Sequence, residues 1–218
     1  MTVNKRVDAP VHAAGAAIGD PAGDPIGAGD ALLIVDVQND FLPGGALAVA
    51  DGDAVIAPLN RWIARFGAAR APVYATRDWH PPDHCSFRPQ GGPWPPHCVA
   101  GTDGARFAAA LALPADAVVV SKADTPARDA YSGFDGTSLA AQLRARGVRR
   151  VWVGGLATDY CVRATALDAL QAGFEVRLLG EAMRAVELHA GDGARAHAAM
   201  AAAGAVAVPA AGVAGGPP

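Results

Sequence analysis

What most constrains the fold of this chain is a repeating alternation of two patterns. Apolar runs at 31–37 (ALLIVDV), 71–77 (APVYATR), 117–121 (AVVVS), 150–155 (RVWVGG) and 175–179 (EVRLL) are short, apolar almost throughout and mostly rich in β-branched residues. Strands covered on both faces of a parallel sheet read this way. Between them lie stretches suited to helices, at 53–68, 137–147 and 158–173, the last closing on Gly173 as a C-cap. A further helix at 192–204 precedes an expected edge strand at Ala205–Val208. Strand and helix repeated in this order predict an α/β fold, doubly wound with right-handed crossovers. We expect a mainly parallel sheet of about six strands with helices on both faces. The chain's 218 residues suit one domain, placed at 30–208, with a core that needs no covalent staples. The segments 1–29 and 209–218, rich in Ala, Gly and Pro without periodicity, read as flexible extensions.

Composition removes several functions. Eighteen basic against 21 acidic residues give a formal charge of −3, which offers no electrostatic footprint for nucleic acid or an anionic membrane surface. No apolar run approaches the ~18 residues of a membrane span. The three cysteines, Cys85, Cys98 and Cys161, are odd in number and form no C-x-x-C pair, which points to a reducing, cytoplasmic compartment. Lys5 and Arg6 precede a stretch that Asp8, Pro10 and His12 break, so it makes a poor secretory leader. A homo-oligomer is compatible with the sequence.

Ligands of open α/β sheets bind beyond the carboxyl ends of the strands. There the chain carries Asp36, Asp78 and Lys122, while Gly154 and Gly155 lead into the helix that holds Cys161. A single Asp at a strand end is ordinarily a turn or cap residue; four such ends on one rim suggest chemistry. Were Thr158 the helix cap, Cys161 would sit in the first turn, where the dipole lowers a thiol pKa and free N–H groups receive an oxyanion. A thiol nucleophile needs a proton acceptor. His189 and His197 come late, near the surface of the last helix, which leaves Asp36 as the preferred base. Lys122 is one of only two lysines in the chain, and its compact ammonium would hold the Asp36 charge and favour the thiolate.

The second constellation lies in a Pro- and Gly-rich stretch, 78–105, that carries three of the six histidines. Unstructured connections of that length inside a domain are usually functional. Asp78 and His80 alternate along an extended segment and so face the same way. With His97 they make a carboxylate and two-imidazole set suited to one divalent ion, Zn, Mn or Fe. His84 is open as a fourth ligand or a supporting partner. Cys85 and Cys98 sit beside histidines but point oppositely, and read as structural. Phe41, Trp94 and Tyr131 fall on loops near the same rim, where aromatic faces can sandwich a flat ring.

The segments LLIVDVQNDFLPGGALAV, RDWHPPDHCSF, WPPHCV, the stretch from Lys122 into AYSGF, and GLATDYCVRATALDA together resemble the nicotinamidase/pyrazinamidase branch of the isochorismatase-like cysteine hydrolases. The resemblance covers about 30–208. It implies a catalytic Asp36, Lys122 and Cys161, metal ligands Asp78, His80 and His97, and a pyridine carboxamide held near Phe41, Trp94 and Tyr131. It also implies a cis peptide before Ala157, whose N–H joins that of Cys161 as an oxyanion hole. The implied reaction converts nicotinamide, and pyrazinamide, to the acid and ammonia through a thioester, with Asp36 as proton carrier. The rivals are a metal-free amidohydrolase of carbamoyl or ureido compounds, a non-haem iron oxygenase, and a non-catalytic domain with a structural metal. No G-x-G-x-x-G follows the first strand, which disfavours a dinucleotide enzyme.

Overall fold

A computed structural model of the protein describes residues 25–209. The expected extensions lie outside the described residues except for 25–29 and 209. Six strands form one sheet in the order β3-β2-β1-β4-β5-β6: β1 Asp30–Val35, β2 Val73–Asp78, β3 Val118–Lys122, β4 Arg150–Leu156, β5 Glu175–Arg184 and β6 Val206–Ala207. Every neighbouring pair is parallel. The helices are α1 Ile56–Ala68, α2 Leu139–Ala145, α3 Arg163–Gln171 and α4 Asp192–Ala202. None among the described residues is long and apolar enough to cross a membrane.

β1 explains why its residues are apolar without alternation: both faces are covered. Leu32 and Ile34 pack with Leu59, Trp62, Ile63 and Phe66 of α1, joined by Cys98, Ala105, Ala108 and Leu111 from the long connection after β2. Ala31, Leu33 and Val35 face the other way, onto Leu139 and Leu143 of α2, Ala166 and Ala169 of α3, and Met200 of α4. Successive side chains of a strand point to opposite faces, so one run feeds two cores. Emptying either, for instance by Leu33→Ala, costs ~2–5 kcal/mol.

The strand order turns back between β1 and β4, and there a crevice opens at the carboxyl ends. Gly155 sits in this turning point at φ +130°, and a Cβ on it would stand 2.1 Å from the Val35 carbonyl oxygen. Only glycine allows the two strands that approach. β1 stops at Val35 rather than 37, because Asp36 turns left-handed at φ 49°. β5 runs on to Arg184, past the expected end at 179, with a register shift against β4 between Val153 and Gly155. Gly180 and Glu181 interrupt the apolar pattern and hide that extension.

Candidate active site

Four strand ends supply the site. Thr76 and Asp78 of β2 share one face by the two-residue period, and Asp78 pairs in register with Lys122 of β3. Lys122 Nζ then reaches four groups: Asp78 Oδ1 at 2.5 Å, Asp36 Oδ2 at 3.0 Å, the Ala130 carbonyl at 3.1 Å and Cys161 Sγ at 3.5 Å. Thr76 Oγ1 donates to Asp36 Oδ1 at 2.7 Å. Asp36, Lys122 and Cys161 are all buried.

Burial sets the protonation of this cluster. It pushes the Asp36 carboxyl above its usual range, against the pull of Lys122. It would depress Lys122, but the Asp36 and Asp78 charges overcome it and raise the ammonium well above its ordinary value. Burial would also raise Asp78, yet Lys122 and His80 hold that carboxyl well below the usual carboxylate range. Cys161 is pushed well above a free thiol by burial, with Lys122 opposing and Asp36 and Asp78 adding to the rise.

This corrects the lowered thiol expected from a helix start. Thr158 does not cap: Ala157 precedes a π-helical turn, Thr158–Val162, no side chain caps it, and α3 begins only at Arg163. Burial, with the two neighbouring carboxylates adding to it, raises the thiol where the expected helix start would have lowered it. The Leu156–Ala157 peptide is cis. The Ala157 N–H donates to no described residue, and Ala157 and Cys161 both line the pocket.

Beside this cluster, Asp78, His80 and His97 offer ligand atoms that lie within 4.8 Å of one another, all buried. His80 Nδ1 bonds the Ala123 carbonyl at 3.0 Å and His97 Nδ1 the Pro95 carbonyl at 2.8 Å. Each Nδ1 therefore carries the proton, which leaves the Nε2 lone pairs for a metal. Burial depresses His97 and keeps it neutral. Two imidazoles that each turn Nε2 toward the set, and an ionised carboxylate, fit one divalent ion with positions left for water or substrate. His84 stands apart from the set. Its nitrogens bond Ser86 Oγ at 2.7 Å and the Arg128 carbonyl at 3.0 Å, and its ring stacks on His80 at 4.2 Å.

A pocket opens over both groups. Phe41, Trp94 and Tyr131 line it, as does Tyr160. Trp94 Nε1 donates to the Tyr131 hydroxyl at 3.0 Å, and Tyr160 meets Trp94 edge-on at 5.3 Å. Tyr160 was missed from sequence although it adjoins Cys161. Gln38 was missed as well: buried, it donates from Nε2 to the Asp78 and Ala105 carbonyls at 2.8 and 2.9 Å and accepts from the Asp78 N–H at 2.8 Å. Asp40 accepts the Cys98 N–H at 2.7 Å and so fixes the chain next to His97. Asp159, inside the π-helical turn, accepts from the Val186 and Glu187 N–H groups at 2.9 and 3.0 Å and ties the pocket wall to the turn.

A thiol, a carboxyl and an ammonium packed at the turning point of a parallel sheet form the candidate centre of an α/β hydrolase. The chain belongs to the isochorismatase family, whose domain matches residues 30–211. It is 41% identical over 196 residues to the nicotinamidase of Escherichia coli, covering 80% of this chain and 92% of that protein. The pyrazinamidase of Pyrococcus horikoshii, solved in complex with zinc, superposes with a TM-score of 0.80 at 52% identity, over 83% of this chain and 98% of that one. PnC1 from L. infantum, solved in complex with nicotinate, gives a TM-score of 0.78 at 40% identity, over 84% and 94%.

Proposed function

We propose that the protein is a nicotinamidase, hydrolysing nicotinamide, and pyrazinamide, to the carboxylate and ammonia. The carrying observation is the single ammonium of Lys122 held between the Asp36 and Asp78 carboxylates, 3.5 Å from Cys161 Sγ. The named relatives and the zinc and nicotinate complexes support the same reading.

Because burial keeps the thiol protonated at rest, Cys161 needs a base, and Asp36 takes its proton. The same burial that raises Asp36 makes its carboxylate a stronger base than a solvated one. The Cys161 sulfur attacks the carboxamide carbon, and the N–H groups of Ala157 and Cys161 receive the oxyanion. Protonated Asp36 then donates to the departing ammonia, leaving an acyl group on Cys161. Water enters, Asp36 takes its proton, and the thioester opens to the free acid. Lys122 stays protonated and stabilises the Asp36 carboxylate whenever it is ionised. Asp78, His80 and His97 would hold one divalent ion, Zn, Mn or Fe, which supplies a Lewis acid for the ring nitrogen. Phe41, Trp94, Tyr131 and Tyr160 hold the flat ring and exclude water from its faces.

A metal-free amidohydrolase would leave the two prepared Nε2 atoms idle, and an iron oxygenase would leave Cys161 and Lys122 idle. Making nicotinate would place the enzyme in pyridine nucleotide salvage, and we place it in the cytoplasm with that reaction. The test is ammonia release from nicotinamide by the purified protein, after chelation, and after metal is restored. Loss and recovery support the assignment; no release at any metal load refutes it.

A further inference from the structure

A second set of ligand-bearing side chains adjoins the first. The Asp36 and Asp78 carboxylates and Cys161 Sγ, all buried, also offer ligand atoms within 4.8 Å of one another. Ligands of tetrahedral zinc, at bonds of ~2.0–2.3 Å, stand ~3.3–3.8 Å apart, so small side-chain shifts would close this set on an ion. In the protein its centre is taken by the Lys122 ammonium, 2.5, 3.0 and 3.5 Å from Asp78, Asp36 and Cys161. Asp36 Oδ2 faces that centre, is wholly buried, and forms an ion pair but no hydrogen bond. Asp78 divides its oxygens, Oδ1 to Lys122 and Oδ2 toward His80 Nε2 at 3.7 Å. A carboxylate shared in this way is what bridges two ions ~3.5–4 Å apart in two-metal sites.

We propose that Asp36, Asp78 and Cys161 form a latent second site for a borderline divalent cation, and that Lys122 fills it to keep metal off the nucleophile. The inference rests on the Asp78–His80–His97 cradle holding the first ion. A thiolate is the softest donor in the pocket and binds zinc or cobalt in preference to carboxylate oxygen. Left open beside a metal centre, Cys161 would be captured, and its sulfur lone pairs would go to the ion instead of the substrate. A fixed ammonium enclosed with two carboxylates offsets part of the negative charge that would attract the intruder and occupies its place. Lys suits the task because its charge is compact; the planar, five-donor guanidinium of Arg would not fit between three groups this close. The chain writes Arg at 16 of its 18 basic positions and Lys here.

The test starts from metal-free protein, loaded with excess cobalt or zinc and dialysed, with bound metal counted by mass spectrometry and cobalt spectra recorded. Wild type should hold one ion and show no sulfur-to-cobalt charge-transfer band. Lys122→Met and Lys122→Ser should hold two and show the band, and adding Cys161→Ser should abolish it. One ion and no band in folded variants overturns the proposal while leaving the cradle intact. No ion in wild type overturns the cradle itself. Should neither variant fold, wild type alone decides: alkylation of Cys161 should proceed at one rate with equimolar and with excess zinc, and a steep fall with excess zinc overturns the proposal.

Discussion

The ammonium of Lys122 lies 3.0 Å from the Asp36 carboxylate, and neither side chain reaches solvent. Burial raises Asp36 above the usual aspartate value of 3.8. Since the base form is the ionised one, kcat/KM should rise with pH as Asp36 loses its proton, with the midpoint of the acid limb above 3.8. A pH profile of nicotinamide hydrolysis checks this, and a midpoint at or below that value contradicts it.

Thr76 gives Asp36 a buried hydroxyl donor at 2.7 Å. A hydrogen bond to a charged group contributes about 1.5–3 kcal/mol, so Thr76→Val should lower kcat/KM about ten- to hundredfold. The donor favours the ionised carboxylate, and its loss should move the acid limb to still higher pH. Steady-state kinetics across pH read both effects.

Gln38 grips both backbone polar groups of Asp78. Gln38→Leu leaves the ligand side chain in place but frees its backbone. Metal affinity, measured by competition with a chelator, should fall about 10–100-fold, as for other residues that support ligands. Reactivity of the Cys161 thiol toward an alkylating agent should change little.

Tyr160 closes the aromatic side of the pocket against Trp94 and Tyr131. Tyr160→Ala removes ring contact present equally in the ground and transition states, so KM should rise about tenfold with kcat nearly unchanged. Tyr160→Phe should behave as wild type, because the ring and not the hydroxyl makes these contacts.

Asp30, at the start of β1 and far from the pocket, gives a stability control. It accepts from Arg150 and from Trp152 Nε1, the latter at 3.0 Å. Burial opposes its ionisation, but Arg150, Trp152 and the Gly27 N–H outweigh burial and lower its pKa. A lowered carboxyl stabilises the fold above its unfolded pKa and loses that contribution as pH falls through the folded one. Asp30→Asn should cost about 1–3 kcal/mol near neutral pH, less as pH drops below 3.8, with kcat unchanged. Denaturant melts at several pH values measure it.

Much of this architecture is legible in the chain because its strands are covered on both faces and end in polar residues. Asp36, Asp78 and Lys122 stand out against ALLIV, VYAT and VVVS for that reason. The cis bond before Ala157 was expected from family resemblance alone; no local pattern signals it. What stayed hidden depends on partners distant in the chain. Gln38 acts on a residue 40 positions away, and Asp159 on one 27 away. The thiol of Cys161 was misjudged because a helix start is visible locally, whereas enclosure with two carboxylates appears only when three strands meet. His84 sits in the histidine-rich stretch, yet its ring nitrogens are taken by Ser86 and Arg128, the latter from after β3.

The account stands or falls on a carbon–sulfur bond made during turnover at Cys161. Acid quenching of the enzyme with excess nicotinamide, followed by peptide mass spectrometry, should find a pyridine-carbonyl adduct on the peptide bearing that residue. Ammonia released at the wild-type rate by Cys161→Ala, with no adduct on the native protein, would contradict it.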